Sequence, residues 1–258
     1  MQPDPVTPER LLRRLDDIGA ALSERTDAIG LIGLGSVGVD LGRLDEHSDL
    51  DFFVIVDAGA KPAYLASIDW LEAAAPVHYS FENSVDGRKV LFEDGIFAEY
   101  AVFTLAELEG AGFSPGRIVW RRDDAPEGLE APDRAAGRSP YLTPHYQANE
   151  ILTNLYVGLH RDARGERLSA ARLIQVHAVD RAITLLGLLG EGTGGQQDAF
   201  AVERGAERRF GADRLPLAEL MPGYERNHEA ALAMLAWLEA HADVDQRLAS
   251  AVRELAGG

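Results

Sequence analysis

The sequence predicts an α+β chain: a mixed β-sheet flanked by helices, followed by a C-terminal helical bundle. Three observations lead there. Short apolar runs separated by turn residues fill 28–121, apolar residues recur at helical spacing from 146 almost to the end, and the stretch between is rich in Asp, Pro, Gly, Ala and Arg. The expected organisation is a first domain over 1–122, a linker over 123–144 and a helical domain over 145–258. A length of 258 residues suits one large or two small domains.

Thr7 is placed to cap the first helix, with Pro8 at its first position and Glu9 in its first turn. Leu11, Leu12, Leu15, Ile18 and Leu22 then give one buried stripe. Residues 28–32 read as a short strand, Gly33-Leu34-Gly35-Ser36-Val37-Gly38 as a glycine turn, and 49–56 as a second strand. Residues i and i+2 of a strand share a face, with Cα atoms roughly 6.6 Å apart. Asp49 and Asp51 can therefore grip the same divalent ion. Phe52, Val54 and Val56 fall on the other face, while Phe53 and Ile55 continue the aspartate face, as in a buried strand with a charged rim.

A turn at 57–61 leads to a helix expected over 62–75, with Leu65, Ile68, Trp70 and Leu71 along one side. Strands are expected at 77–82, 89–92 and 96–103, with hairpin signals at Asp86-Gly87 and Asp94-Gly95. In the last of these, Phe97, Glu99, Ala101 and Phe103 share a face. A single acid on an apolar face costs free energy unless it is paired or binds a metal, so Glu99 is a candidate third carboxylate. The plainer alternative is an edge-strand glutamate facing water. A strand at 117–121 closes the domain.

The glycines also spell G-x-G-x-x-G. A dinucleotide-binding unit needs a full helix after that turn and an acid closing the next strand. Here only residues 39–48 follow, with Gly42 and four charged residues among them, and the acids open the strand. The context contradicts that reading.

In the second domain, 147–160 carries Ile151, Leu152, Leu155 and Leu159, and Gly165 breaks the pattern. Residues 168–189 continue it, 190–195 is a flexible break, and shorter helices are expected near 216–221, 224–241 and 244–255. Apolar residues on the last helices serve either domain packing or a homodimer surface.

These residues resemble the nucleotidyltransferase superfamily that includes DNA polymerase β, and within it the lincosamide and aminoglycoside nucleotidyltransferase branch. The resemblance rests on Leu31-Ile32-Gly33-Leu34-Gly35-Ser36-Val37-Gly38 followed by Arg43-Leu44-Asp45-Glu46-His47-Ser48-Asp49-Leu50-Asp51. It is specific over 28–57, looser to about 104, and architectural beyond. It implies Asp49, Asp51 and Glu99 as catalytic metal ligands, with Glu99 as ligand, general base or both. It departs from the family in having Glu where many members have Asp. It further implies Gly35, Ser36, Ser48, Arg161 and Arg167 as nucleotide-binding residues. For Arg161 and Arg167, a charged, solvated turn between helices is the alternative, and Arg43, Asp45 and Ser48, which flank the motif, are expected to shape their loop rather than react. Lys61, Arg88 and Lys89 are further phosphate candidates.

The chemistry fits these residue types. Magnesium takes carboxylate oxygens and substrate phosphates in octahedral geometry, and two ions about 4 Å apart can stabilise both attacking and leaving oxygens. Glycines let the backbone approach phosphates closely. The implied cofactors are one or two Mg2+ ions, with ATP or another nucleoside triphosphate as co-substrate.

A formal net charge of −17 argues against a nucleic-acid partner. There is no cysteine, no apolar signal segment and no run approaching a membrane span, so a cytoplasmic protein without a membrane partner is expected. The seven histidines show no zinc-binding spacing, and Leu34 breaks a G-x-S-x-G frame around Ser36. The expected activity is transfer of a nucleoside monophosphate, AMP from ATP, to a hydroxyl of a small molecule, with an antibiotic implied by resemblance alone. The alternatives are a non-catalytic nucleotide-binding or antitoxin-like module of the same fold and, further off, a dinucleotide-dependent oxidoreductase.

Overall fold

The computed structural model of the chain describes residues 5–131, 141–193 and 201–257. The chain divides into two compact units, Met1–Gly137 and Arg138–Gly258. Each is described by itself.

The first unit opens with α1 (Pro8–Ser23), whose N-cap Thr7 accepts a hydrogen bond from the Arg10 amide. Six strands follow in its described residues: β1 (Ala28–Gly33), β2 (Leu50–Val56), β3 (Val77–Glu82), β4 (Gly87–Phe92), β5 (Phe97–Thr104) and β6 (Arg117–Arg121). They form one sheet in the order β3-β4-β5-β2-β1-β6. Only the β2–β5 pairing is parallel, so the sheet is mixed. The parallel pair needs a crossover, and the chain supplies it with two short helices, α2 (Lys61–Ala66) and α3 (Asp69–Glu72), and the β3–β4 hairpin.

Strand alternation sorts the core onto two sides. Leu11, Leu15, Ile18 and Leu22 of α1 pack with Leu31, Phe52, Val54, Val56, Tyr64, Trp70 and Tyr100 on one side. Ile29, Ile32 and Ile55 pack with Phe113, Leu129 and Leu108 of α4 (Leu105–Gly110) on the other. Burying side chains of this size stabilises by about 1.5–3 kcal/mol each. Leu129 belongs to the stretch read as linker from its composition, yet it is 7% exposed and packs on β1 residues.

Three local differences from expectation have physical causes. The helix expected over 62–75 breaks at Ser67, which is extended (φ −133°, ψ 144°) and whose hydroxyl accepts the Asp69 amide to start α3. The short α4 was not expected, because so few apolar positions carry no periodicity. Its signal was the Thr104/Glu107 capping box, which is fully formed. Finally, β2 starts at Leu50, so Asp49 lies just before the strand.

In the second unit, α5 (Pro144–Ala163) is capped by Thr143. The next helical stretch contains α6 (Arg167–Ala171), a π-helical turn (Arg172–His177) and α7 (Ala178–Leu189), which stops at Gly190 in the left-handed conformation (φ 74°). Then come α8 (Ala206–Arg214), α9 (Leu217–Leu220), α10 (Asn227–His241) and α11 (Gln246–Gly257). Ile151, Leu155 and Leu159 of α5 meet Ile174, Ile183, Leu186, Leu235 and Val252 in one core. Among the described residues, no helix is long and apolar enough to cross a membrane.

Candidate active site

The glycine turn is built by close backbone approach. β1 runs into a single 3-10 turn, Gly35–Val37, and the Leu34 amide donates to the Asp51 carbonyl at 2.8 Å, which ties the turn to the head of β2. Gly35 has φ +52°, and a Cβ built there would lie 3.6 Å from Asp51 Oδ2. The turn therefore lies directly against the Asp51 carboxylate. A Cβ on Gly38 would lie 2.7 Å from the Gly33 carbonyl oxygen, so Gly33 and Gly38 form the tight neck of the loop. Arg117 of β6 donates from Nη2 to the Val37 carbonyl at 3.1 Å and holds the outer side.

Asp51 and Glu99 are register partners across the parallel β2–β5 pair, followed inward by Phe53 with Ala101 and Ile55 with Phe103. Registered neighbours on adjacent strands point to the same face, about 4.8 Å apart at the backbone. The two carboxylates thus sit side by side at the outer end of a face whose inner end is aromatic. Phe53 meets Phe103 edge-on at 4.9 Å and Phe113 at 5.4 Å. Asp51, Glu99 and Asp49 are all half-buried. Tyr100 lies on the opposite face, stacked on Phe52, and burial raises its hydroxyl above the ordinary phenol value.

Glu99 has partners of its own. Lys89 is directly opposite it in the antiparallel β4–β5 register, and its Nζ lies 3.1 Å from Glu99 Oε2. Asn83, just past β3, donates from Nδ2 to Glu99 Oε1 at 2.6 Å. Both carboxylate oxygens are therefore held by side-chain donors. The sequence offered Lys89 only as a phosphate candidate and did not single out Asn83. Cross-strand register, which needs the correct hairpin, is what connects them to Glu99.

Among the described residues, no group of three or more His, Cys, Asp or Glu side chains is arranged to hold a metal ion. Asp49, Asp51 and Glu99 do not form such a group, and Glu99 is engaged by Lys89 and Asn83. Magnesium is commonly held by one or two carboxylates with substrate phosphates completing the octahedron. Asp51, with Asp49 beside it in sequence, offers hard oxygen donors next to a glycine turn.

Ser36 lies within that turn, half-buried. Ser48 shapes its loop: its Oγ accepts from the Asp45 amide at 3.0 Å and contacts Asp45 Oδ1 at 3.2 Å. Arg43 pairs with Asp40 at 3.0 Å. Lys61 is bound by Asp86 and Glu107, each at 2.7 Å, and Arg88 by Glu82 at 2.7 Å. Gly35, Ser36, Asp49, Asp51 and Glu99 therefore belong to the β1–β2–β5 edge of the first unit. Arg161 and Arg167 belong to the second. Arg161 donates to the Ser169 hydroxyl, and Arg167, with Arg172 and Tyr224, lines an open groove of about 430 Å³.

No protein-family model matches the chain, and no curated protein matches it. Solved structures similar to it include an aminoglycoside 6-adenyltransferase from Bacillus subtilis (14% identity, TM-score 0.32, covering 94% of this chain and 90% of that one). A nucleotidyltransferase-like protein from Exiguobacterium sibiricum shares 13% identity (TM-score 0.34, 89% and 74% covered). A STING-associated CdnE c-di-GMP synthase from Capnocytophaga granulosa shares 10% (TM-score 0.32, 98% and 80% covered).

Proposed function

We propose that the chain is a magnesium-dependent nucleotidyltransferase that moves AMP from ATP to a hydroxyl of a small molecule, an antibiotic or a metabolite. The observation that carries the reading is the pair Asp51 and Glu99 in register on parallel strands, with the Gly35 turn against Asp51. That juxtaposition supports the resemblance of the Gly-Ser turn and Asp-x-Asp motif to the nucleotidyltransferase superfamily.

In this reading Asp49 and Asp51 hold the metal, which when bound supplies positive charge to the triphosphate oxygens. Gly35, with no side chain, lets the phosphates approach the backbone, and the Ser36 hydroxyl donates to one of their oxygens. Glu99 accepts the proton of the acceptor hydroxyl. The acceptor oxygen bonds to the α-phosphorus, and the bond from that phosphorus to the bridging oxygen breaks. Pyrophosphate leaves with the electron pair. Positioning and charge stabilisation account for most of the rate.

The test is pyrophosphate release from α-labelled ATP with magnesium, against a panel of hydroxylated antibiotics and metabolites, with Asp49→Asn as control. Acceptor-dependent release with label transfer, lost in the variant, supports the reading. Absence of magnesium-dependent ATP binding overturns it.

One observation favours a second reading. Both oxygens of Glu99 are already engaged, as expected of a non-catalytic module that keeps the fold. Such a module binds nucleotide without turnover, and Asp51→Asn leaves its partner binding unchanged.

A further inference from the structure

We infer that the outer edge of β3 binds a second copy of this chain, the two β3 strands pairing antiparallel about a two-fold axis at Phe81. This does not depend on the transferase reading above.

β3 is an outermost strand of the sheet, and among the described residues β4 is the one strand paired with it. An edge of this kind presents unpaired N–H and C=O groups to any strand that can lie beside it, and lysine, proline or charge commonly blunts it. The opposite edge, β6, has Arg117 and Arg121 at its ends. In β3, residues 77–81 contain no Asp, Glu, Lys, Arg or Pro. Tyr79 is 53% and Phe81 43% exposed, and their rings lie 5.9 Å apart. As residues i and i+2 of a strand, they share a face.

The register fixes which groups are available. The Asn83 amide donates to the Gly87 carbonyl at 3.3 Å, continuing the pairing of Tyr79 with Leu91 and Phe81 with Lys89. Backbone groups of successive residues alternate sides, so those of Tyr79, Phe81 and Asn83 turn to β4, and those of Ser80 and Glu82 turn outward. A register shift between Val77 and Tyr79 takes His78 out of the regular ladder, which leaves 79–83 as the regular run and Phe81 as its midpoint. With the axis there, Ser80 of each copy exchanges backbone hydrogen bonds with Glu82 of the other. Phe81 faces Phe81 as a non-hydrogen-bonded pair, where side chains approach most closely, and Tyr79 lies diagonal to it. An axis at Ser80 brings the irregular His78 into the ladder, and an axis at Glu82 sets two carboxylates against each other.

Charge favours this edge. Two copies with a formal net charge of −17 repel each other unless they meet where little charge is exposed. Here Glu82 is paired with Arg88 at 2.7 Å, and Lys89, beside Phe81 in register, with Glu99 at 3.1 Å. A symmetric contact of one copy with another also closes on itself and leaves no further β3 edge exposed.

The chain has no cysteine, so an introduced thiol reports the pairing directly. Phe81→Cys sets two thiols across the axis at a position where Cα atoms lie about 4.5 Å apart, within disulfide reach. Under mild oxidation of the full chain it should form covalent dimer about tenfold faster, or more, than Val85→Cys, whose site is 88% exposed but lies beyond the strand. In sedimentation equilibrium, the mass of the wild type should rise from monomer toward dimer across a concentration series. Phe81→Lys, which opposes two like charges at the axis, should stay monomeric with its unfolding midpoint unchanged. A wild type that is monomeric throughout the series, or equal cross-linking rates for the two cysteine variants, overturns the inference. So does a dimer that persists in Phe81→Lys, since it forms through another surface.

Discussion

Asp51 and Glu99 face the same side of the sheet as direct partners across the parallel β2–β5 pair, and the Gly35 turn packs against the first of them. The pairing depends on β5 inserting beside β2 after the crossover through α2, α3 and the β3–β4 hairpin. Two acids far apart in sequence become neighbours only because β5 pairs with β2 in this register.

Replacing Asp51 with Asn keeps size and shape but removes the charge. In the proposed transferase this lowers acceptor-dependent pyrophosphate release by about 10²-fold or more, since electrostatic contacts to the reacting phosphate carry most of the rate. The midpoint of thermal unfolding should stay within a few degrees. Turnover equal to the wild type counts against Asp51 as a metal ligand.

The two glycines of the turn should respond differently to alanine. Gly35→Ala is sterically open but places an alanine at φ +52°, at a cost of about 1–2 kcal/mol. Gly38→Ala drives a methyl to within 2.7 Å of the Gly33 carbonyl oxygen and 2.8 Å of the Leu34 carbonyl carbon, neither of which can move aside without opening the neck. Denaturant unfolding should therefore rank Gly38→Ala as the more destabilised. The reverse order would show that the turn is held elsewhere.

Acid should loosen the β4–β5 hairpin. Asp94 receives Arg14 at 2.8 Å and Arg10 at 2.9 Å, which pins the hairpin turn to α1. Burial alone raises the Asp94 carboxyl, but the Arg14 hydrogen bond and charge outweigh it and hold the group below the ordinary carboxylate range. A carboxyl depressed in the folded state contributes fully above its unfolded value of about 4 and loses that contribution as pH falls through the folded value. Asp94→Asn should cost about 1 kcal/mol at pH 7 and clearly less at pH 2. An equal difference at both pH values rules out the ion pair as the cause.

Much of the fold could be read directly. Thr7 and Pro8 announced α1, the Asp94-Gly95 turn joins β4 to β5 with Gly95 at φ +87°, and the alternation after Asp51 sorted Phe52, Val54 and Val56 from Ile55. The side of the sheet that carries Asp51 and Glu99 was also legible, because each acid shares a two-residue period with apolar neighbours, Phe53 and Ile55 for Asp51 and Ala101 and Phe103 for Glu99. What sequence could not supply was register. Lys89 and Asn83 meet Glu99 through hairpin geometry, and nothing in local spacing announces it. Nor does periodicity reveal that the helix after Lys61 breaks at Ser67, because Leu65, Trp70 and Leu71 satisfy one helical face whether or not the backbone is continuous.

The second unit depends on a buried polar network that the same reasoning missed. Asn227 is 2% exposed, donates to Asp162 Oδ1 at 2.8 Å, and accepts from Gln175 Nε2 at 2.8 Å. Gln175, in the π-helical turn, completes itself by accepting the Gly223 amide at 2.9 Å. The network joins the end of α5, the π-helical turn and the start of α10, and it fixes the loop around Gly223. Removing one member strands the others, and a buried amide or carboxylate without its partner costs about 1–3 kcal/mol. Asn227→Ala should therefore destabilise by about 2–3 kcal/mol, and Gln175→Ala by a similar amount. The double variant should cost clearly less than the sum, because each deletion has already lost the bond they share. Additive losses in urea unfolding of the three variants would mean that the two side chains act separately and that the contact between them carries no coupling.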